Sequence, residues 1–197
     1  MGATKTTLVL ASASPRRSAL LSAMGCKFIV QHAEIDESRM EHELVVDYVS
    51  RLATEKAQAI QNKCNTKLGE VAIIAADTIV YQNETIFAKP KNKDDAFRIW
   101  QQLSNSQHSV MTTVSLLVSD EIATRTVLTH VEFGLIEEKQ MNQYWLSGEP
   151  SDKAGAYAIQ GLASAWVKLI HGSYSNVVGL PLRETNELLK DVGHNWL

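Results

Sequence analysis

One carboxylate stands inside an apolar run. Val71–Ala76 leads directly into Asp77-Thr78, and Ile79–Tyr81 resumes the apolar pattern. A charged carboxylate so embedded costs several kcal/mol unless a cation or hydrogen bonds offset it. Gln82-Asn83-Glu84 then reads as a turn, and Thr85–Ala88 as a returning strand that delivers Lys89-Pro90. Lys89 is therefore a candidate neighbour for Asp77. An acid and a base held on adjacent rigid elements are the means of building a site for a metal-bound polyphosphate. A buried structural ion pair is the competing reading.

A second group of chemistry-bearing residues opens the first helix. The strand Thr6–Ala11 runs into Ser12-Ala13-Ser14-Pro15-Arg16-Arg17, followed by the helical pattern Ser18–Met24 and Gly25. Ser14 is a suitable N-cap and Pro15 suits the first helical position. Helix N-termini attract anions, so Arg16 and Arg17 oppose the local dipole. The arrangement makes sense if a phosphate chain is the missing counter-charge; a capped helix with solvated arginines is the alternative. The loop Ala33–Met40 carries Glu34, Asp36 and Glu37, hard oxygen donors of the kind magnesium favours. Lys56 falls near the apolar edge of a long helix, and its spacing leaves open whether it snorkels to solvent or is aimed into a cleft. Asp152–Gly161, with two glycines, two charges and Gln160 around Tyr157, suits a small ligand better than a core. Gly172–Leu182 reads as a second Gly- and Ser-rich loop.

The elements that must position these residues intermix. Cys26–His32 is expected to be a strand. Glu41–Lys63 is expected to be a helix with Val45, Val49, Leu52 and Ala59 inward and an Arg51–Glu55 surface pair. Asn92–Leu103 and Glu137–Ser147 are further helices. His108–Val118 and Ala123–Phe133 are two long strands, Ala163–Ile170 another strand, and Pro181 starts a last helix ending near Lys190. Helices interspersed with at least one long antiparallel hairpin predict a mixed α/β (α+β) protein rather than a purely parallel sheet. The 197 residues are expected to form one domain, 1–197, with no clear linker.

Hydrophobic content of 45%, charged content of 21% and a net charge of −3 describe an ordinary globular chain with no electrostatic footprint for nucleic acid or an anionic membrane. Cys26 and Cys64 lack metal-ligand spacing and are expected to be reduced thiols, and the six histidines show no zinc pattern. The start MGATKTTLVLAS reads as a first strand rather than a signal peptide, and the chain is expected in the cytoplasm. G-x-G-x-x-G, Walker lysine and G-x-S-x-G motifs do not occur.

Seven stretches in order resemble the Maf family of nucleoside triphosphate pyrophosphatases. They are L-A-S-x-S-P-R-R at Leu10–Arg17, I-D-E at Ile35–Glu37, R-L-A-x-E-K-A at Arg51–Ala57 and A-D-T-I-V at Ala76–Val80. K-P at Lys89-Pro90, D-K-A-G-A-Y-x-I-Q-G at Asp152–Gly161 and G-S-Y-x-x-V-V-G-L-P at Gly172–Pro181 complete the set. The resemblance implies two lobes around a cleft on a long twisted mixed sheet flanked by helices, similar to the inosine triphosphate pyrophosphatases. It implies hydrolysis of a nucleoside triphosphate to the monophosphate and pyrophosphate, a divalent cation (Mg²⁺ or Mn²⁺), and a homodimer. Arg16, Thr78 and Gln160 match the branch acting on dTTP and UTP; the 7-methyl-GTP branch carries tryptophan, glutamine and glutamate there.

Under this resemblance Asp77 is the catalytic carboxylate, and Asp77 with Glu37 holds the metal. Ser12, Arg16, Arg17, Lys56 and Lys89 neutralise the triphosphate, and Thr78 and Gln160 contribute to choosing the nucleotide. Asp77 either accepts the proton of the attacking water or orients that water. Two alternatives stand beside this: a nucleotide-binding regulator of septum formation with incidental turnover, and a pyrophosphatase of different base choice.

Overall fold

The structure, a computed structural model, describes residues 6–63 and 70–191; the expectation for Cys64 lies outside them. In chain order the elements are β1 (Thr7–Ala11), α1 (Pro15–Ala23), β2 (Ile29–Gln31), α2 (Val45–Lys63), β3 (Val71–Gln82) and β4 (Thr85–Phe87). There follow α3 (Lys93–Leu103), β5 (Gln107–Val118), β6 (Glu121–Phe133), α4 (Glu138–Leu146), β7 (Val167–His171), α5 (Tyr174–Val178) and α6 (Leu182–Asp191). The strands hydrogen-bond in the order β2-β1-β3-β5-β6-β7, with β4 beside β3. Parallel β2-β1-β3 pairings coexist with antiparallel β3-β4 and β6-β7 pairings, so the sheet is mixed, as expected. Among the described residues no helix is long and apolar enough to cross a membrane.

The chain forms two compact units, Met1–Asp77 with Thr112–Val127 and Gly179–Leu197, and Thr78–Met111 with Leu128–Val178. Three of the four passages between them fall inside the continuous strands β3, β5 and β6.

The first unit follows from its apolar patterning. β1 and β3 are buried on both faces and read as unbroken apolar runs, the signature of parallel strands covered on each side. Side-chain alternation then sorts them. Leu8, Leu10, Ala72 and Ile74 pack with Leu21 of α1 and Leu188 and Leu189 of α6. Val9, Ala11, Ile73 and Ala75 pack with Ala57 and Ile60 of α2. Asp77 continues the odd-numbered set of β3. The buried stripe of α2 is Val45, Val49, Leu52, Ala53, Lys56, Ala57 and Ile60, a helical spacing with a lysine inside it. The helix starts at Val45, four residues later than the sequence predicts. Arg39 donates to the Glu43 carbonyl, and the Glu43 carboxylate accepts from the Met40 N–H, so this segment is folded as a polar loop instead. Cys26 is a buried free thiol, its pKa pushed up to about 11 by burial.

The second unit is built on an aromatic core. The β3–β4 hairpin turns on Asn83 and Glu84, both at positive φ, and pairs Val80 with Phe87. The Asn92 side chain caps α3 by accepting the Asp95 N–H at 2.9 Å. Trp100 is fully buried; its ring meets Tyr144 and Trp166, and its indole N–H donates to the Ala156 carbonyl at 2.8 Å. Phe133 joins Trp166, His108 and Tyr157 to this cluster.

Three sequence expectations need correction here. Tyr157 does not line a ligand loop; it is buried, edge-on to Phe133, with its hydroxyl 2.8 Å from His108 Nε2. The stretch Gly172–Leu182 is not all loop, because the Ser173 hydroxyl accepts the Asn176 N–H and caps the short helix α5. The strand expected from Ala163 begins at Val167, since Leu162–Trp166 forms a 3-10 turn that buries Trp166.

Candidate active site

In the first unit the middle of β3 and the middle of α2 meet through charge. Lys56 and Asp77 are each only 8% exposed, and Lys56 Nζ lies 2.6 Å from Asp77 Oδ1. The same Nζ lies 2.6 Å from Glu37 Oε1. One ammonium thus bridges the embedded carboxylate and the acidic loop, which settles the open question about Lys56: it is aimed inward. The cation that offsets the burial of Asp77 is this lysine. Lys89, the neighbour suggested by sequence, is an exposed residue of the second unit, two positions beyond the last residue of β4.

The β1–α1 turn adds donors to the same unit. Ser12 is buried, and its hydroxyl accepts the Ser14 N–H at 3.1 Å and an Arg17 Nη1–H at 3.4 Å. Ser14 itself makes no side-chain cap to α1, contrary to expectation, so the serine that organises this turn is Ser12. Arg17 Nε donates to the Gly179 carbonyl at 2.8 Å, tying α1 to the start of the segment before α6. Burial lowers the Arg17 pKa, with the charges of Asp77 and Glu37 pulling the other way and Arg16 reinforcing the drop. Ser12, Arg16, Arg17, Glu37, Lys56 and Asp77 therefore act within one electrostatic neighbourhood.

Sequence reasoning missed the residues that hold the Glu37 loop. Tyr48 donates its hydroxyl to the Glu37 carbonyl at 2.7 Å. Burial, then the charges of Asp77 and Glu37, raise the Tyr48 pKa. Arg51 makes the expected pair with Glu55 at 3.2 Å, but it also grips the Glu43 carboxylate through Nε at 2.6 Å and Nη2 at 2.9 Å. Nη2 further donates to the Ser38 carbonyl at 2.9 Å. This fork geometry is what distinguishes an arginine from a lysine. The only sequence sign was that Arg51 and Lys56 fall in one motif, R-L-A-x-E-K-A.

The remaining candidates belong to the second unit. Thr78 follows Asp77 on β3 and is half-buried. Gln160 is exposed in the segment between two 3-10 turns, Ala154–Ala156 and Leu162–Trp166. In that segment Gly155 adopts φ +69, and a Cβ there would press on Val80 of β3, which explains a glycine before Tyr157.

Chemically, the first unit offers two carboxylates drawn together by one ammonium, beside a guanidinium, a buried hydroxyl and the amide donors at the start of α1. Such a set suits a polyanion. Among the described residues no group of three or more His, Cys, Asp or Glu side chains would cage a metal by itself. Two carboxylates are nonetheless what magnesium commonly takes from a protein when substrate phosphates and water supply the rest.

Comparison with known proteins agrees with the motifs. The family described as "Maf-like protein" matches residues 7–192. A curated relative from Hahella chejuensis, named dTTP/UTP pyrophosphatase, is 45% identical over 186 residues, covering 94% of this chain and 92% of the relative. One of the same name from Acinetobacter baylyi is 46% identical over 183 residues, covering 93% and 98%. Among solved structures, the Staphylococcus aureus Ham1 protein is similar at 12% identity and a TM-score of 0.44, over 65% of this chain and 72% of that one. With residues 7–192 matched and relatives aligned over nearly their whole length, the chain belongs to the Maf family.

Proposed function

We propose that this protein is a nucleoside triphosphate pyrophosphatase that hydrolyses dTTP and UTP to the monophosphate and pyrophosphate with the help of a divalent cation. The observation that carries the reading is the Lys56 ammonium held 2.6 Å from both Asp77 and Glu37, two carboxylates whose charges also act on Arg17, itself bonded to Ser12. The names of the curated relatives support the choice of reaction and substrate. Glu37 and Asp77 would hold an ion delivered with the nucleotide, whose phosphate oxygens would supply further donors.

In this reading water attacks the α-phosphorus. The bond from the α-phosphorus to the oxygen bridging the β-phosphate breaks, and pyrophosphate leaves with that oxygen. Asp77 faces the attacking water. Its Oδ1 already accepts a charge-assisted hydrogen bond from Lys56, which fixes the carboxylate and suits it to orienting that water. Lys56, Arg16, Arg17 and Lys89 offset the charge that moves onto the leaving group, with the Ser12 hydroxyl and the amides of α1 as further donors. A bound Mg²⁺ or Mn²⁺ ion would contribute Lewis-acid neutralisation of the phosphates, held by Glu37 and Asp77. Arg16, Thr78 and Gln160 select the nucleotide; a glutamine amide both donates to and accepts from a uracil-type edge. In this reading residues 1–197 work as one domain, which is supported by three passages between the compact units that run along unbroken strands.

The test is pyrophosphate release with Mg²⁺ or Mn²⁺ from dTTP, UTP, CTP, dATP, GTP and 7-methyl-GTP, for wild type and Asp77→Asn. Turnover confined to dTTP and UTP and lost in the variant is expected. Turnover of 7-methyl-GTP alone would keep the reaction and overturn the base assignment. Binding without turnover of any nucleotide would move the protein to the class of nucleotide-dependent regulators.

A further inference from the structure

We infer that Tyr144 and Glu149 are positioning residues that clamp the segment carrying Gln160 and so set base selection; this rests on the role proposed for Gln160 above. The Tyr144 hydroxyl donates to Glu149 Oε1 at 2.7 Å and accepts the Ala158 N–H at 3.0 Å. Glu149 Oε2 accepts the Leu162 N–H at 3.1 Å. The backbone is therefore pinned two residues before Gln160 and two residues after it, by two side chains that are bonded to each other.

Both anchors are themselves fixed. Tyr144 is buried in α4 against Trp100 and Trp166, with ring centroids 5.3 and 4.8 Å away. The N–H of Glu149 donates to the Ser147 hydroxyl, its carbonyl accepts from Lys153 Nζ at 2.6 Å, and the adjacent Pro150 is buried. A third observation is independent of these bonds. Gly161 adopts φ −111, open to any residue, yet a Cβ there would run into the Glu149 carboxylate. The glycine after Gln160 is thus required by the approach of Glu149 and by nothing in its own conformation. Gln160, the one exposed side chain between Tyr157 and Gly161, is presented from a segment tied down on both sides. A group that touches the base in ground and transition states alike changes KM rather than kcat when it is displaced.

Steady-state kinetics with dTTP, UTP and CTP on Gln160→Ala, Gly161→Ala, Tyr144→Phe and Glu149→Ala tests this. Gly161→Ala displaces only the far end of a flexible side chain, and Tyr144→Phe keeps the ring in its cluster, so both variants fold. Loss of one charge-assisted hydrogen bond predicts a rise of about tenfold in KM for dTTP and UTP and a matching fall in preference over CTP, with kcat changing much less. Glu149→Gln, which keeps one acceptor oxygen, recovers part of the loss. In the Gln160→Ala background Glu149→Ala adds little further, since both act through one side chain. Equal falls in kcat and kcat/KM, or full additivity with Gln160→Ala, would overturn the clamp while leaving the role of Gln160 intact. A Gln160→Ala enzyme with unchanged substrate preference would overturn that role, and the clamp with it.

Discussion

Replacing Lys56 by methionine removes the cation at the centre of the site and keeps most of its aliphatic bulk. The effect divides into two arms. Towards Asp77 both side chains are 11% exposed, so the variant leaves a carboxylate in the apolar stripe without its paired ammonium. Breaking such a buried pair from one side typically costs about 3–5 kcal/mol. Towards Glu37, which is 52% exposed, solvent screens the interaction and the loss is about 0–1 kcal/mol. Because the charge of Arg17 also acts on Asp77, the lower part of the first range applies, and the sum is about 3 kcal/mol. For a chain of this size that lowers Tm by about 6–12 °C. Thermal unfolding in EDTA measures it. The double variant Lys56→Met/Asp77→Leu recovers most of the loss, since neither charge of the pair remains. Mg²⁺ raises the Tm of Lys56→Met more than that of wild type, because the ion then binds the two carboxylates without displacing the Lys56 ammonium. A Lys56→Met protein that melts within about 2 °C of wild type in EDTA, well inside that predicted drop, would refute the claim that this ion pair organises the site.

Three further outcomes follow from other groups. Arg51→Met frees Glu43 and Ser38 and loosens the loop that carries Glu37, so the Mg²⁺ concentration for half-maximal activity rises about tenfold while kcat at saturating metal changes less. The Glu43 pKa, lowered to about 2 chiefly by its hydrogen bond from Arg51, keeps this grip complete above pH ~4.5; it is lost as pH falls through about 2, which amide exchange at Met40 reads. Burial lowers the His108 pKa to about 4, below its ordinary 6.5. The unfolded chain then takes up the proton first on acidification, so the stability that this neutral ring permits is whole above pH 6.5 and drains away as pH falls towards 4. Urea unfolding of wild type loses roughly 2 kcal/mol between pH 7 and 5 from this source, and His108→Phe does not; equal pH dependence in the two would exclude the ring as the cause.

What the sequence discloses of this site, and what it withholds, has a physical pattern. Asp77 was legible because a charge inside an apolar strand is costly wherever the strand lies, and the cost demands a partner. The partner's identity was not legible, because Lys89 and Lys56 both satisfy the demand and only the packing of α2 on β3 chooses between them. Asp77 and Ile73 share a strand face, Lys56 and Ile60 share a helix stripe, and the apolar pairs that fix the helix on the sheet also bring acid and base together. The motifs marked the groups that do chemistry, Ser12, Arg17, Glu37 and Gln160, but said little of what holds them. Tyr48, Arg51, Tyr144 and Glu149 grip backbone carbonyls and amides, and a bond to the backbone places no demand on the residue types at its far end. The trace such holders leave is indirect, and Gly161 is an instance: a small residue at an ordinary backbone angle, kept small by a carboxylate that the chain placed twelve positions earlier. Tyr157 was misjudged for the converse reason. Its neighbours in sequence are glycines and charges, but its neighbours in space are Phe133 and His108, and burial is decided by the latter.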